Sequence, residues 1–309
     1  MARIVTITFN PCIDKSTRVA ALAPEKKLLC SEPVFEPGGG GLNVSRVIHK
    51  LGGDTLAIFP TGGHSGKLLN ELLQKEGVPF EALEVKNPTR ENLIVFEEAT
   101  GQQYRFGMPG APLLKAEWEQ LLEKVKNCGA EYVIASGSLP EGVPTDVFAR
   151  LALIVKSNGA KFIVDTSGAA LKEAVDAGVY LLKPNLSELS SLAGQEEVGH
   201  EMVDEIARDI IGRNCCMAIM VSLGAAGARL ITKQESIQVI PPVVKRLSTV
   251  GAGDSMVAGV VLSLSRGKDL RDALEYGVAC GTAATMNPGT ELSKPEDVER
   301  LYSIIKGIK

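Results

Sequence analysis

The sequence lacks the residue spacings that metal centres and redox sites need. Its three histidines lie far apart in the chain, and its six cysteines include no C-x-x-C pair. This spacing argues against a zinc centre and a redox dithiol motif, and we expect reduced thiols. Long apolar runs are also missing, and the first residues alternate too strongly for a signal peptide. We therefore expect a cytoplasmic protein that does not enter a membrane.

The sequence also has no excess of positive charge. The 309 residues include 33 basic and 37 acidic side chains, which gives a net charge of -4 at pH 7. Such a balance attracts neither nucleic acid nor an anionic membrane surface, so we expect neither as a partner. An anionic ligand must be bound by local features instead. The hydrophobic content of 45% is that of an ordinary globular protein.

Short β-branched runs alternate with amphipathic stretches along most of the chain. The runs predict strands, and apolar residues at three- and four-residue spacing predict helices between them. This alternation indicates an α/β protein with a parallel-dominated central sheet and helices on both faces, in one domain over residues 1–309. Two segments, at about 16–36 and 87–108, break the alternation and predict a small separate β-sheet. Within the second segment, residues 92–97 and 102–106 are typical of a hairpin.

The most informative segment runs from Ser248 to Ser255 and precedes an apolar helical pattern. Gly251 and Gly253 at the start of this helix leave backbone N–H groups open to an anion, at the positive end of the helix dipole. The segment therefore predicts an anion hole for a phosphate. Asp254 would lie in the first turn, where it could accept the proton of an attacking hydroxyl. A helix cap is the alternative role for this aspartate.

A second segment contains four consecutive glycines, Gly38 to Gly41, shortly before Asn43. Such a run allows the backbone to approach a ligand closely, and the Asn43 amide is suited to sugar hydroxyls. A flexible loop is the alternative. The run does not match the dinucleotide fingerprint, and residues 62–68 lack the spacer and the hydroxyl residue of a P-loop.

Two further strand ends carry weaker signals. Asn185 and Glu188 are three residues apart at the start of a predicted helix. They could hold a hydrated magnesium ion near phosphates, although a capping box explains the same spacing. The glycine turn from Ser222 to Gly227 could line an adenine or phosphate site, or could be a simple hairpin turn. Neither segment decides between its alternatives.

In combination and in order, these motifs resemble those of the ribokinase superfamily of PfkB-type carbohydrate kinases. Within it, the chain is most similar to the bacterial 6-phosphofructokinases of the minor-isozyme group, which share Phe35-Glu36-Pro37 before the glycines and Gln103-Tyr104-Arg105-Phe106. Relatives that phosphorylate fructose 1-phosphate or tagatose 6-phosphate usually carry Gly-Gly-Lys-Gly, where this chain has Gly40.

The resemblance implies a fold and an activity. The fold is ribokinase-like, with the small β-sheet as a lid whose packing joins a homodimer. The activity is ATP-dependent phosphorylation of fructose 6-phosphate to fructose 1,6-bisphosphate, a step of glycolysis, with Mg²⁺ and K⁺ as cofactors. Fructose 1-phosphate or tagatose 6-phosphate is the alternative substrate, and a non-catalytic sugar-phosphate sensor is a further alternative. Arg90 and Arg105 favour a phosphorylated substrate.

The resemblance also implies roles for individual residues. Asp254 is implied as the catalytic base, and Arg90 as the clamp on the 6-phosphate. The anion hole would comprise Gly251, Ala252 and Gly253. The sugar-phosphate site would comprise Asp14, Gly39, Gly40, Gly41, Asn43, Arg90, Arg105 and Ser138. The contacts to ATP and magnesium would comprise Lys183, Asn185, Glu188, Ser222, Gly224, Gly227 and Thr249, with Lys27 reaching the site of the neighbouring subunit. The potassium site would comprise Ser248, Val250, Ala284, Asn287 and Gly289, followed by Glu291 where relatives carry a basic residue.

Overall fold

The computed structural model describes residues 4–213 and 215–307, and the other residues of the predicted domain lie outside this part. Within it, most strands carry apolar and β-branched side chains that are buried on one or both faces. In chain order they are β1 (Ile4–Ile7), β2 (Cys12–Val19), β3 (Val34–Gly38), β4 (Thr55–Thr61), β5 (Phe80–Glu84), β6 (Arg90–Glu97), β7 (Gln102–Phe106), β8 (Tyr132–Ser136), β9 (Lys161–Asp165), β10 (Val179–Leu182), β11 (Cys216–Ser222), β12 (Ala228–Ile231) and β13 (Ser236–Val239).

The helices follow the apolar periodicity of the sequence and connect most of the strands. They are α1 (Gly40–Lys50), α2 (Gly63–Glu76), α3 (Lys115–Lys126), α4 (Val147–Ser157), α5 (Gly168–Ala177), α6 (Leu186–Ala193), α7 (Val203–Gly212), α8 (Ala252–Ser265), α9 (Leu270–Thr285) and α10 (Pro295–Lys306). Among the described residues, no helix is both long and apolar enough to cross a membrane.

The large sheet has the strand order β13-β12-β11-β10-β9-β8-β1-β4-β5. Neighbours from β5 to β11 are parallel, whereas β12 and β13 are antiparallel. Alternate residues of β8 point into different cores: Val133 packs with residues of α3 and α4, and Ile134 packs with residues of α1 and α8. Helices therefore cover both faces of the sheet, as the alternating sequence pattern predicts.

The small sheet has the order β3-β2-β6-β7, with β2 parallel to β6 and the other pairs antiparallel. The hairpin of β6 and β7 pairs Glu97 with Gln102, at the turn that the sequence predicts. Strand β2 begins at Cys12, before the predicted boundary near residue 16. This difference arises because Cys12 and Asp14 already pair with β3 and β6, close to the end of β1.

Candidate active site

Polar side chains gather at the carboxyl ends of the parallel strands. Asn10 follows β1, Ser138 follows β8, Asp165 ends β9 and Lys183 follows β10. Because these strands are parallel, their carboxyl ends lie at one edge of the sheet, where ligands of open α/β sheets bind. The first turn of α8 lies at the same edge, since Asn43 near the start of α1 contacts Asp254.

The first turn of α8 has the conformation that the glycine motif predicts. Gly251 precedes the helix with φ of 69°, a left-handed conformation that favours glycine. The helix has no side-chain cap, and Asp254 Oδ2 instead accepts a hydrogen bond of 2.9 Å from Asn43 Nδ2. The cap alternative therefore has no support in the structure. The carboxylate faces the edge of the sheet rather than its own helix start.

The surroundings of Asp254 change its acidity. Burial raises the pKa of its carboxyl from 3.8 to about 6, and the nearby Asp165 carboxylate adds to this rise. The Asn43 amide and the Lys183 ammonium act in the opposite direction on the same pKa. A carboxyl with this pKa is mostly ionised at pH 7, yet is a stronger proton acceptor than an ordinary aspartate.

A buried ion pair lies beside this carboxyl. Lys183 Nζ is 3.1 Å from Asp165 Oδ1, and the lysine side chain is only 6% exposed. Burial by itself would lower the pKa of Lys183, but the Asp165 carboxylate more than offsets this, and the pKa is raised. A Cβ placed on Gly253 would lie 3.5 Å from Lys183 Nζ. The lysine is therefore charged and adjoins the glycine segment that starts α8.

The glycine run that leads into α1 is required by close packing of the protein on itself. A Cβ at Gly40 would lie 2.2 Å from Ser136 Oγ, and one at Gly41 would lie 2.5 Å from Thr8 Oγ1. Gly39 has φ of 112°, which other residues rarely adopt. These contacts bring the start of α1 against the ends of β1 and β8, a reason for the glycines that the sequence does not reveal. Their contact with a ligand stays a prediction.

Three of the predicted sugar-phosphate residues, Asp14, Arg90 and Ser138, belong to one hydrogen-bonded group. Asp14 is buried and accepts a 2.9 Å hydrogen bond from Asn92 Nδ2. Arg90 donates to the carbonyl oxygen of Asn10 at 3.1 Å, and Asn10 Nδ2 donates to Ser138 Oγ at 3.0 Å. Asn10 and Asn92 were not predicted from the sequence. The sequence offered only weak signals for them. Asn10 is a polar residue after a buried strand, and Asn92 lies two positions after Arg90.

Arg90 also has spare donor capacity. Its Nη1 donates to the carbonyl oxygen of Met108 at 3.0 Å, whereas its Nε is buried and has no acceptor among the described residues. On the neighbouring strand, Arg105 Nη2 donates to Thr249 Oγ1 at 3.1 Å. Arg105 thus joins the small sheet to the segment that precedes α8.

A cleft of about 570 Å³ lies on the other side of the α8 start. Five of the predicted ATP-site residues line it, beside an apolar wall of Val243, Met256 and Val278 that was not predicted from the sequence. Lys183 and Glu188 are not among the lining residues, and Lys27 is an exposed residue between β2 and β3. The five predicted ATP-site residues that do line the cleft are Asn185, Ser222, Gly224, Gly227 and Thr249.

The structure shows the geometry of the two motifs for which the sequence left two alternative roles each. Asn185 and Glu188 form a capping box at the start of α6, with two reciprocal hydrogen bonds of 2.9 Å. Burial raises the pKa of Glu188. The turn from Gly224 to Gly227 joins the antiparallel strands β11 and β12 and also lines the cleft. Its contact with a nucleotide stays a prediction.

The residues of the predicted potassium site lie in adjoining backbone turns. Ser248 Oγ donates to the carbonyl oxygen of Gly289 at 2.7 Å, and Val250 N donates to Ser248 Oγ at 3.1 Å. The backbone N–H of Asn287 donates to the carbonyl oxygen of Ala284 at 3.2 Å. The next acidic side chain, Glu291, is paired with Lys294 at 2.9 Å. The atoms here that could coordinate a cation are carbonyl and hydroxyl oxygens.

Comparison with known proteins identifies the family. A sequence model of pfkB family carbohydrate kinases matches residues 4–297. The chain belongs to the pfkB family. This pfkB chain is 45% identical over 308 residues to the ATP-dependent 6-phosphofructokinase isozyme 2 of Escherichia coli (strain K12), covering 99% of each chain. It is 29% identical over 305 residues to the 1-phosphofructokinase of Borreliella burgdorferi, covering 98% of this chain and 97% of that protein.

Solved structures agree with this assignment. Escherichia coli phosphofructokinase-2 in complex with fructose-6-phosphate has a TM-score of 0.93 at 43% identity, and the same protein in complex with potassium has 0.95 at 44%. Each comparison covers 99% of this chain and 100% of that chain. Arabidopsis thaliana ribokinase has a TM-score of 0.80 at 24% identity over 98% of this chain and 99% of that chain, a likeness of fold alone. The predicted family and the ribokinase-like α/β fold are confirmed.

Proposed function

We propose that this chain is an ATP-dependent 6-phosphofructokinase, which transfers the terminal phosphoryl group of ATP to fructose 6-phosphate and forms fructose 1,6-bisphosphate. The observation that carries the proposal is the location of Asp254. Its carboxylate accepts a hydrogen bond from Asn43 and interacts electrostatically with Asp14, and it directly follows Gly253, which lines the cleft. The similarity to an enzyme of this activity at 45% identity over the whole chain supports the same conclusion.

In this mechanism Asp254 accepts the proton of the attacking sugar hydroxyl. An alcohol is far too weak an acid to ionise at neutral pH, so the proton must leave as the bond to phosphorus forms. The raised pKa of Asp254, about 6, makes its carboxylate a suitable acceptor. The hydrogen bond from Asn43 keeps this carboxylate at the side of the site where the sugar binds.

Charge on the transferring phosphoryl group is stabilised by the start of α8. Residues 252–254 form the first turn, and their N–H groups are among those that an α-helix leaves without internal acceptors. Lys183 adds a buried positive charge next to Gly253. Donors that are fixed before the reaction starts are the most effective stabilisers of such charge.

The residues present fit magnesium that is bound mainly through ATP. Among the described residues, no group of three histidine, cysteine, aspartate or glutamate side chains could hold an ion alone. Magnesium commonly binds through substrate phosphates, water and one or two carboxylates. Asn185 borders the cleft, and its capping partner Glu188 lies in the first turn of α6. When bound, the ion would neutralise negative charge on the phosphate oxygens.

The oxygen-rich turns before α8 and at the end of α9 fit a monovalent cation. Carbonyl and hydroxyl oxygens of Ser248, Val250, Ala284, Asn287 and Gly289 would hold it. The Escherichia coli relative was solved in complex with potassium. The ion would add positive charge close to Gly251. The carboxylate of Glu291, next to these turns, is paired with Lys294.

The predicted sugar-phosphate residues favour a phosphorylated substrate. Arg90 has a buried donor without an acceptor among the described residues, and Arg105 reaches toward the start of α8. Gly40 is packed so closely on Ser136 that a side chain at this position requires local rearrangement. This favours fructose 6-phosphate over the substrates of relatives that carry lysine at this position. The Escherichia coli relative was solved with fructose-6-phosphate.

The small sheet acts as a lid in this proposal, and two lids join a homodimer. Several large apolar side chains of the lid region are exposed, among them Leu29, which is 83% exposed, and Val34, which is 57% exposed. Exposed apolar patches of this kind are typical of interaction sites. Lys27 lies in the same region, where it would reach the site of the partner subunit. A closed lid excludes water and so protects ATP from hydrolysis.

A coupled assay with the purified protein tests the proposal directly. ATP is supplied with fructose 6-phosphate, fructose 1-phosphate, tagatose 6-phosphate or unphosphorylated fructose, and ADP release is followed. We expect the highest kcat/KM with fructose 6-phosphate. Preference for fructose 1-phosphate or tagatose 6-phosphate would move the assignment within the family. Binding of sugar phosphate without turnover of any of the four would instead indicate a sensor.

A further inference from the structure

Arg46 is a buried charged residue that the proposed mechanism does not use. It lies on α1, three residues after Asn43, and its side chain is 1% exposed. Its Nε and Nη2 donate to the two carboxylate oxygens of Glu76 at 2.7 and 2.6 Å. Its Nη1 donates to the carbonyl oxygen of Pro37 at 2.7 Å and to Asn43 Oδ1 at 3.3 Å. A buried guanidinium with this many acceptors is held in one orientation.

The contact with Asn43 determines which way its amide points. An asparagine amide has one oxygen that accepts and one nitrogen that donates, whereas arginine can only donate. The atom of Asn43 that faces Arg46 must therefore be the oxygen. Its nitrogen then faces Asp254 Oδ2, at 2.9 Å. With the amide reversed, the oxygen would face the carboxylate and the nitrogen would face Arg46, so both contacts would be repulsive.

We propose that Arg46 is a positioning residue for the phosphoryl transfer: it orients the Asn43 amide so that the amide donates to Asp254. The proposal rests on the proposed function, in which Asp254 is the general base. Arg46 does not touch the reacting atoms and acts through Asn43. Its guanidinium also binds Pro37 of β3 and Glu76 of α2, so the same side chain connects the root of the lid to the body of the protein.

The charges around Asp254 determine the effect of losing this orientation. The carboxylates of Asp165 on β9 and Asp14 on β2 raise its pKa, whereas the Asn43 amide on α1 and the Lys183 ammonium after β10 lower it. Loss of the amide donor leaves one fewer group that favours the ionised form. The pKa of Asp254 should then rise, and the acidic limb of the rate profile should shift to higher pH.

Arg46→Lys is the decisive variant, with Glu76→Gln as its matched control. Lysine retains a charge for Glu76 but lacks the planar fork that reaches Asn43 and Pro37 together. Glu76→Gln weakens the same ion pair while the donor to Asn43 stays. We expect Arg46→Lys to lower kcat/KM about tenfold and to raise the acidic pKa of its pH profile by about one unit. The control should lower the melting temperature without moving that limb.

A double-mutant cycle tests whether Arg46 acts through Asn43. In an Asn43→Ala background, Arg46→Lys should change kcat/KM by less than about twofold, because the amide that it orients is gone. An unchanged acidic limb in Arg46→Lys overturns the proposal. An equal shift in the Glu76→Gln control overturns it too, because general loosening would then suffice. Arg46→Gln takes the place of Arg46→Lys in every arm if the lysine variant does not fold.

A measurement without turnover separates this inference from the proposed function. Protein labelled with ¹³C at aspartate carboxyls is titrated, and the Asp254 signal is assigned by its loss in Asp254→Asn. The inference expects this carboxyl to titrate at higher pH in Arg46→Lys than in the unsubstituted protein, and equal titration overturns it. Absence of ATP-dependent turnover in the unsubstituted protein would overturn the function whatever the titration shows.

Discussion

The amide nitrogen of Asn43 lies 2.9 Å from the carboxylate of Asp254, although 211 residues separate the two in the chain. The contact joins the first turn of α1, which contains the end of the glycine run, to the first turn of α8, which contains the end of the second glycine motif. Two helix starts that are far apart in sequence thus face each other at one edge of the large sheet. The proposed base and its hydrogen-bond partner are brought together by this arrangement.

Asp254→Asn is expected to lower kcat by about 10² to 10⁴, which is typical for loss of a general base. Asparagine keeps the shape of the side chain but cannot accept the proton. The KM values for ATP and sugar should change little, because their contacts lie mostly elsewhere. Steady-state kinetics with both substrates measures this. Turnover close to that of the unsubstituted protein would contradict the catalytic role.

The same substitution is expected to stabilise the fold at high pH. The pKa of Asp254 is raised in the folded protein from 3.8 to about 6, so folding loses stability as pH rises through this interval. The cost is roughly 3 kcal/mol at pH values well above 6. Asp254→Asn removes it, and the melting temperature at pH 8 should rise by about 4 °C. At pH 3.5 the carboxyl is protonated in the folded state and mostly protonated in the unfolded state, so the difference should nearly vanish. A lower melting temperature of Asp254→Asn at pH 8 would argue against burial of the charge.

The pH dependence of the unsubstituted protein should show an acidic limb near pH 6. The base acts only when ionised, and its pKa is raised to about 6. Well below that pH, kcat/KM should fall about tenfold for each pH unit. Rates measured from pH 4.5 to 8.5 at constant ionic strength give the value. A limb near pH 4 would mean that the carboxyl is more exposed than in this structure.

Arg90→Ala is expected mainly to raise the KM for fructose 6-phosphate. Truncating one partner of a buried charge pair costs roughly 2 to 5 kcal/mol, so kcat/KM should fall at least thirtyfold. The matched control is Arg18→Ala on the same small sheet, where the guanidinium is exposed and stacks on Phe96. The control should change KM little. A loss below about threefold in Arg90→Ala would remove Arg90 from the phosphate site.

Gly40→Ala is expected to weaken sugar binding through displaced backbone. The added methyl group would lie 2.2 Å from Ser136 Oγ and 2.9 Å from the backbone nitrogen of Gly137, so the segment that leads to Ser138 must shift. Gly107→Ala is the control, because a methyl group there meets no atom within 4 Å. Kinetics and melting temperature are measured for both variants. Equal behaviour of the two would contradict the close packing at Gly40.

Leu29→Glu is expected to weaken the proposed homodimer. A charge placed in an apolar interface is disfavoured, so the association constant should fall about a hundredfold or more. Leu153→Glu on α4 is the control, since Leu153 is also exposed, at 62%, but lies away from the lid. Light scattering over a range of concentrations measures the assembly. A fully active monomer would also contradict the role of Lys27 across the interface, which Lys27→Ala tests with its neighbour Lys26→Ala as control.

Local patterns in the sequence predicted much of the fold. Alternating strands and helices indicated the parallel sheet with helices on both faces, and the β6–β7 hairpin was predicted at its observed turn. The glycine motif at Gly251 predicted a helix start with an open first turn, and Gly251 does adopt the left-handed conformation. These features depend on interactions between residues close in sequence, namely side-chain periodicity and backbone conformation, and such interactions are readable from the chain alone.

Only the tertiary structure decided which of these pieces meet. The order of the strands brings Asp165 and Lys183 together beside the start of α8. No local pattern in the sequence marks Asp165 as the partner of Lys183. The packing of α1 against the ends of β1 and β8 explains Gly40 and Gly41, and the enclosure of Arg46 determines the orientation of Asn43. Contacts of this kind join residues distant in sequence, and their geometry depends on how all the elements pack together, so no window of the sequence contains them.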